Sequence, residues 1–186
     1  MAHVDIMEIA GVIREVAAAE ILPRWRNLAA GDVRRKSKAG DLVTVADQAA
    51  EAALAARLEA AVPGSHVIGE EAVAADPEIL QRFRQTGPVW VVGPIDGTRN
   101  FADGGPTFDV MVALVVGGRP VAGWIYAPAE DVLYLGEAGS GAEMHADGSA
   151  TRIEAPRALR LSDLEGVLGT GMFTHRGRPD PTHVKH

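Results

Sequence analysis

A change of period along the chain limits the fold more than any other feature. In the N-terminal third, apolar side chains recur at helical spacing, first as Ile6, Ile9, Ala10, Ile13, Val16, Ala17 and Ile21, then as Ala50, Ala53, Leu54, Leu58 and Ala61. From Phe108 the pattern becomes strand-like, in "FDVMVALVV", "VAGWIYAP" and "DVLYLGEA". Gly117–Gly118–Arg119–Pro120 and Pro128–Ala129–Glu130 part these runs as turns. Helices first and a meander of strands afterwards predict an α+β fold, with N-terminal helices packed on an antiparallel sheet.

Local signals place the edges. Pro23 limits the first helix. Thr44 and Asp47 have the spacing of a capping box for the second, with Asp in place of the usual Glu or Gln, and Pro63–Gly64 ends it. "RRKSKAGD", residues 34–41, is expected as a polar loop. "HVIGEE" predicts a short strand ending in Glu70–Glu71, and Asp76–Pro77 an N-cap and first helical residue. In "VWVVGPIDGTRNF" a hydrophobic strand, Val89–Val92, is expected to stop at Gly93–Pro94, with a helix starting near Thr98–Asn100. "GAEMHADGSATRIEA" predicts a hairpin turning at Asp147–Gly148. Trp90, Trp124, Tyr126 and Phe101 are expected in the core. After Ala155 the chain holds one strand-like piece, Gly166–Gly169, and a polar tail. The expected division is therefore a domain over 1–155 and, over 156–186, the start of an incomplete second one.

Composition narrows the chemistry. At 47% hydrophobic and 23% charged the chain can bury a core. Its net charge of −7 argues against general nucleic-acid binding, and the short run Arg34–Arg35–Lys36 is expected as a solvated loop. With no cysteine there is no thiol catalysis, thiolate metal site or disulfide, which suits a cytoplasmic protein. "MAHVDIMEIAGVIREV" carries Asp5, Glu8 and Arg14 among its apolar residues and is expected as an amphipathic helix, with no membrane span elsewhere. "GTG" at Gly169–Gly171 lacks the third glycine of a dinucleotide loop, and His175, His183 and His186 are scattered through the tail.

The acidic residues at element ends carry more. Asp47, the pair Glu70–Glu71, and Asp96 come from three separate segments, and hard cations such as Mg²⁺ usually take oxygen ligands from different segments. Gly97–Thr98 supplies main-chain N–H groups and a hydroxyl suited to a phosphate. Each residue also has a purely structural reading: Asp47 as a cap, Glu70–Glu71 as a solvated strand end, Asp96 as a turn residue.

"DLVTVAD" (41–47), "GEE" (69–71) and "GPIDGTRNF" (93–101), in this order and spacing, resemble the inositol monophosphatase family of Mg²⁺-dependent phosphatases. The following "GGPTFDVMVALVVGGRPVAGWIYAPAEDVLYLGEAGSGAEM" resembles that family's sheet, and the likeness runs from about residue 5 to 170. The resemblance implies a layered α/β sandwich and hydrolysis of a small phosphate ester, such as inositol monophosphate, by a metal-activated water. Glu70, the Ile95 carbonyl and Asp96 then correspond to Mg²⁺ ligands, Gly97 and Thr98 to the phosphate site. Asp47 and Thr98 correspond to the pair that orients the attacking water, while Glu71 and Lys36 match supporting positions. A homodimer is common in the family.

Two departures follow from the same comparison. The family's turn begins with an aspartate that bridges two metals, and here that position is Gly93. The second, parallel-sheet part of the family fold, with its Trp-Asp pair, has no match in this sequence. The expectation is a Mg²⁺-dependent phosphomonoesterase whose partner is a small phosphorylated metabolite. The alternative is a catalytically impaired fragment or pseudoenzyme that binds phosphate or a partner. A sheet without its second layer is expected to expose apolar surface.

Overall fold

The computed structural model describes residues 4–36, 42–85 and 87–154. The expected second segment, with Gly166–Gly169 and the three tail histidines, lies outside the described residues.

Helix α1 (Ile6–Val16) is capped by Asp5, whose carboxylate accepts from the N–H groups of Met7 and Glu8. It continues as a π-helical turn, Ala17–Ile21, and ends before Pro23 as its sequence requires. Helix α2 (Val45–Ala61) begins with the capping box: the Thr44 hydroxyl accepts from the Asp47 N–H, and the Asp47 carboxylate accepts from the Thr44 N–H. Ile9, Ile13 and Ile21 meet Ala46, Ala50, Leu54 and Leu58 in one fully buried layer.

That layer packs on part of one face of a seven-stranded sheet in the order β3-β4-β5-β6-β7-β8-β9. The strands are β3 (His66–Gly69), β4 (Pro88–Asp96), β5 (Asp109–Val116), β6 (Arg119–Ala127), β7 (Val132–Glu137), β8 (Gly141–Ala146) and β9 (Ser149–Ile153). Trp90 and Trp124 pack with their ring centres 5.9 Å apart and their planes tilted by 44°. The Trp124 indole N–H donates to the Ile6 carbonyl at 3.0 Å, tying sheet to helix, and that of Trp90 donates to Ser65 Oγ at 3.1 Å. Phe101 and Tyr126 are buried with them, as expected. The α+β class holds, but the sheet is mixed: β3 runs parallel to β4, and only the pairs from β4 onward are antiparallel. The β8–β9 hairpin turns at Asp147–Gly148, both at positive φ (51° and 72°), the conformation a tight two-residue hairpin loop requires.

Three local expectations need correction. Residues 34–41 are not simply a loop, because β1 (Val33–Arg35) pairs antiparallel with β2 (Leu42–Thr44). Arg34 and Arg35 therefore lie in a strand, and Lys36 leaves it toward two glutamates. The strand of the Gly/Pro motif does not stop at Gly93. It continues to Asp96 through an irregularity, in which Gly93 pairs with Met111 and Asp96 with Asp109, leaving one extra residue on β4. That extra residue accommodates Pro94, which cannot donate to a ladder. Finally, Glu70 and Glu71 do not end a strand. They open helix α3 (Glu70–Ala75), with Gly69 as its extended N-cap. A 3₁₀ helix, Pro77–Arg84, follows from the expected Asp76 cap.

Among the described residues, no element covers the other face of the sheet. Met111, Ile125 and Tyr134 stand in one register row across β5, β6 and β7. Each is about 40% exposed, although all are large and apolar. They border a shallow groove of about 740 Å³ that runs from Glu70 and Gly93 to Ile153. This is the exposed apolar surface the sequence predicts.

Candidate active site

Two short turns meet over the N-terminal end of α2. One joins β3 to α3. The other joins β4 to helix α4 (Thr98–Ala102).

Asp47, in the first turn of α2, is 1% exposed. Its Oδ2 accepts from the Thr44 N–H at 2.7 Å, and its Oδ1 lies 3.2 Å from the Thr98 hydroxyl. The same hydroxyl lies 2.9 Å from the Ile95 carbonyl. It has one proton for two acceptors, so one acceptor is always left to another donor. Burial pushes the Asp47 carboxyl above its ordinary range, and hydrogen bonds from Thr44 and Thr98 hold part of that rise back.

Lys36 Nζ donates to Glu70 Oε1 at 2.7 Å and forms an ion pair with Glu71 Oε1, also at 2.7 Å. Glu71 Oε1 is buried, and the Lys36 ammonium is the group it faces. Burial lowers the Lys36 ammonium, but the bonds and charges of Glu70 and Glu71 together outweigh it and leave it raised. Glu71 is pushed up, first by burial and then by the Asp47 and Glu70 charges, against the pull of Lys36.

Gly97 sits at φ 83°, and a β-carbon there would come within 2.9 Å of the Thr107 carbonyl oxygen, so only glycine fits this corner. Gly93 differs: a β-carbon would make ordinary contacts, 3.8 Å from Met111 Cβ and 4.0 Å from Glu70 Oε2. It would point into the same carboxylate group. Asp96 is exposed at the end of β4 and faces Asp109 across the ladder. Asp109 is pushed up, first by burial and then by the Asp96 and Glu130 charges.

Asp47, Thr98 and the Ile95 carbonyl are thus brought together, as are Lys36, Glu70 and Glu71. Asp96 stands apart from both groups in its hydrogen bonding. Sequence reasoning passed over Glu51, which is 7% exposed and accepts from the N–H groups of Glu71 and Ala72 at 2.7 and 2.8 Å. The signal was available: an acidic residue between Ala50 and Leu54 on the apolar side of α2. It also passed over Asp109, whose position opposite Asp96 depends on the strand register.

The sequence profile described as the inositol monophosphatase family matches residues 5–180. The chain belongs to the inositol monophosphatase family. It is 41% identical over 139 residues to the inositol-1-monophosphatase of Mesorhizobium japonicum, a match that covers 75% of this chain and 47% of that one. Among solved structures it resembles a Thermotoga maritima IMPase with a TM-score of 0.66 and 27% identity, covering 81% of this chain and 53% of that chain. It also resembles SaIMPase-II solved with inositol monophosphate bound, with a TM-score of 0.54 and 29% identity over 73% of this chain and 45% of that chain. The chain spans about half the length of the relatives it matches. Among the described residues, no helix is long and apolar enough to cross a membrane.

Proposed function

We propose that this chain carries the metal- and phosphate-binding part of a Mg²⁺-dependent phosphomonoesterase acting on a small phosphorylated metabolite such as inositol monophosphate. The supporting observation is the contact of buried Asp47 with the Thr98 hydroxyl, beside the glycine corner at Gly97. In this reading Asp47 holds the Thr98 hydroxyl, and together they orient a water and accept its proton. Gly97 and Thr98 receive the phosphate through main-chain N–H groups. Glu71 and Lys36 fix the charge and orientation of Glu70. The bound SaIMPase-II ligand supports an inositol phosphate as substrate. A cytoplasmic location and a homodimer belong to the same reading.

The cation is the demanding part. Glu70, Asp96 and the Ile95 carbonyl form an oxygen-only donor set, which suits a hard divalent ion in kind. It falls short in number: no group of three or more His, Asp or Glu side chains among the described residues is arranged to hold a metal. Lys36 already offsets one of the two negative charges that Glu70 and Glu71 can carry. A bound Mg²⁺ would supply charge neutralisation for the phosphate and acidify a water. Gly93 favours the second reading, a member that binds phosphate or a partner but turns over little.

Phosphate release from inositol 1-phosphate and from an aryl phosphate, followed against Mg²⁺ concentration, tests both. Mg²⁺-dependent release by the chain as it stands supports the enzyme. Release only after Gly93→Asp supports the impaired reading. No release from either variant, with no phosphate or Mg²⁺ binding, removes both.

A further inference from the structure

The geometry points to Glu51 as a positioning residue for this site: its carboxylate fixes the β3–α3 corner that carries Glu70 and Glu71. The inference rests on the reading of Glu70 as a functional carboxylate. Glu51 lies one helical turn beyond Asp47 on α2, so the two side chains leave the same helix face. Asp47 reaches the β4–α4 turn through Thr98. Glu51 reaches the β3–α3 turn, where Oε2 accepts from the Glu71 N–H at 2.7 Å and Oε1 accepts from the Ala72 N–H at 2.8 Å. One rigid helix thereby sets the separation of the two turns from which the site is built. Rigid support of this kind matters because small misplacements of functional groups weaken binding and rate disproportionately.

Gly69 is the complement of Glu51. Its φ of −97° is open to any residue, so backbone conformation does not demand glycine there. Space does: a β-carbon at 69 would overlap the Glu51 carboxyl group. The carboxylate lies beside Gly69 and accepts from the N–H groups of Glu71 and Ala72. Glutamine could not replace it fully. Its amide offers one acceptor oxygen where two N–H groups need two, and its NH₂ would face a donor.

The test uses the full chain with Glu51→Gln, Glu51→Ala, Gly69→Ala and the double variant Glu51→Ala/Gly69→Ala. Amide hydrogen exchange at Glu71 and Ala72 is read by NMR, and Mn²⁺ affinity by electron paramagnetic resonance. In Glu51→Ala, exchange at these two amides should accelerate at least about tenfold, while the amides of α1 keep their protection. Mn²⁺ binding should weaken by about tenfold, in the range seen when a ligand's support is lost. Glu51→Gln should fall between parent and Glu51→Ala on both readouts. Gly69→Ala should match Glu51→Ala, and the double variant should be no worse than either, because removing the carboxylate makes room for the β-carbon. Unchanged exchange at Glu71 and Ala72 in Glu51→Ala overturns the inference, as does full additivity of the two substitutions. If the parent binds no Mn²⁺, the proposed function is what fails, and the exchange and additivity results still decide the role of Glu51.

Discussion

Asp47 and Thr98 are 51 positions apart in sequence, yet a buried carboxylate oxygen of one lies 3.2 Å from the hydroxyl of the other. The first-turn cap of α2 is also the partner of the turn after β4. Removing the Thr98 hydroxyl therefore has two effects. Thr98→Ala leaves the buried Asp47 Oδ1 without its donor, which should lower stability by about 1–3 kcal/mol in a urea titration. Under the proposed function it should also reduce phosphate release by about 10²-fold or more, the usual weight of a general-base arrangement. Thr98→Ser keeps the hydroxyl and should lose far less of both. Equal losses in Ala and Ser variants would mean that the methyl group, not the hydroxyl, matters.

Gly97 should tolerate no side chain. Its φ is 83°, and a β-carbon would press on the Thr107 carbonyl at 2.9 Å. Gly97→Ala should cost about 1–3 kcal/mol of stability, the range for a residue forced into a sparsely populated backbone region. A thermal melt within a degree of the parent's would show that the corner relaxes freely.

How much of this could be read in advance depends on range. The capping box at Thr44–Asp47 and the hairpin turn at Asp147–Gly148 were legible because each depends on residues within a few positions of one another. The continuation of β4 through Gly93–Pro94 was not, since the ladder partners Met111 and Asp109 override a local stop signal. The helix at Glu70 was hidden for the same reason: its first N–H groups are satisfied by Glu51, twenty positions upstream. Lys36 looked like part of a solvated basic run, and only the fold brings it between Glu70 and Glu71.

Lys36 should control how stability changes with pH. Glu71 is pushed up chiefly by burial, so in the folded state it holds its proton above the pH at which the unfolded chain releases it. Its contribution is then fully present below the unfolded value near pH 4 and declines as pH rises through the folded value. Lys36 opposes that decline by favouring the charged form of Glu71. Its own raised pKa gives stability that persists until pH rises past its unfolded value near 10. Lys36→Met should therefore be destabilised by about 2 kcal/mol or more at pH 8, where two facing carboxylates lose their counter-charge. The deficit should shrink markedly at pH 4.5. Urea midpoints at the two pH values decide it, and a deficit independent of pH would remove the electrostatic account.

The last prediction concerns Gly93. Its surroundings leave room for a side chain, at 3.8 Å from Met111 Cβ and 4.0 Å from Glu70 Oε2, and its φ is outside the left-handed region. Gly93→Ala should therefore fold with stability within about 1 kcal/mol of the parent. Gly93→Asp adds a carboxylate beside Glu70, so without a cation it should be less stable than Gly93→Ala by like-charge repulsion. A divalent cation should reverse that order, because the new carboxylate completes a donor set that is otherwise too small. Mn²⁺ or Mg²⁺ affinity by calorimetry should rise by at least about tenfold over the parent, no less than the effect of losing an outer-shell support. The melting temperature of Gly93→Asp, but not of Gly93→Ala, should climb with Mg²⁺ concentration. If Mg²⁺ affects the three proteins alike, the carboxylate at 93 does not reach the site, and Lys36 rather than the missing aspartate keeps the cation out.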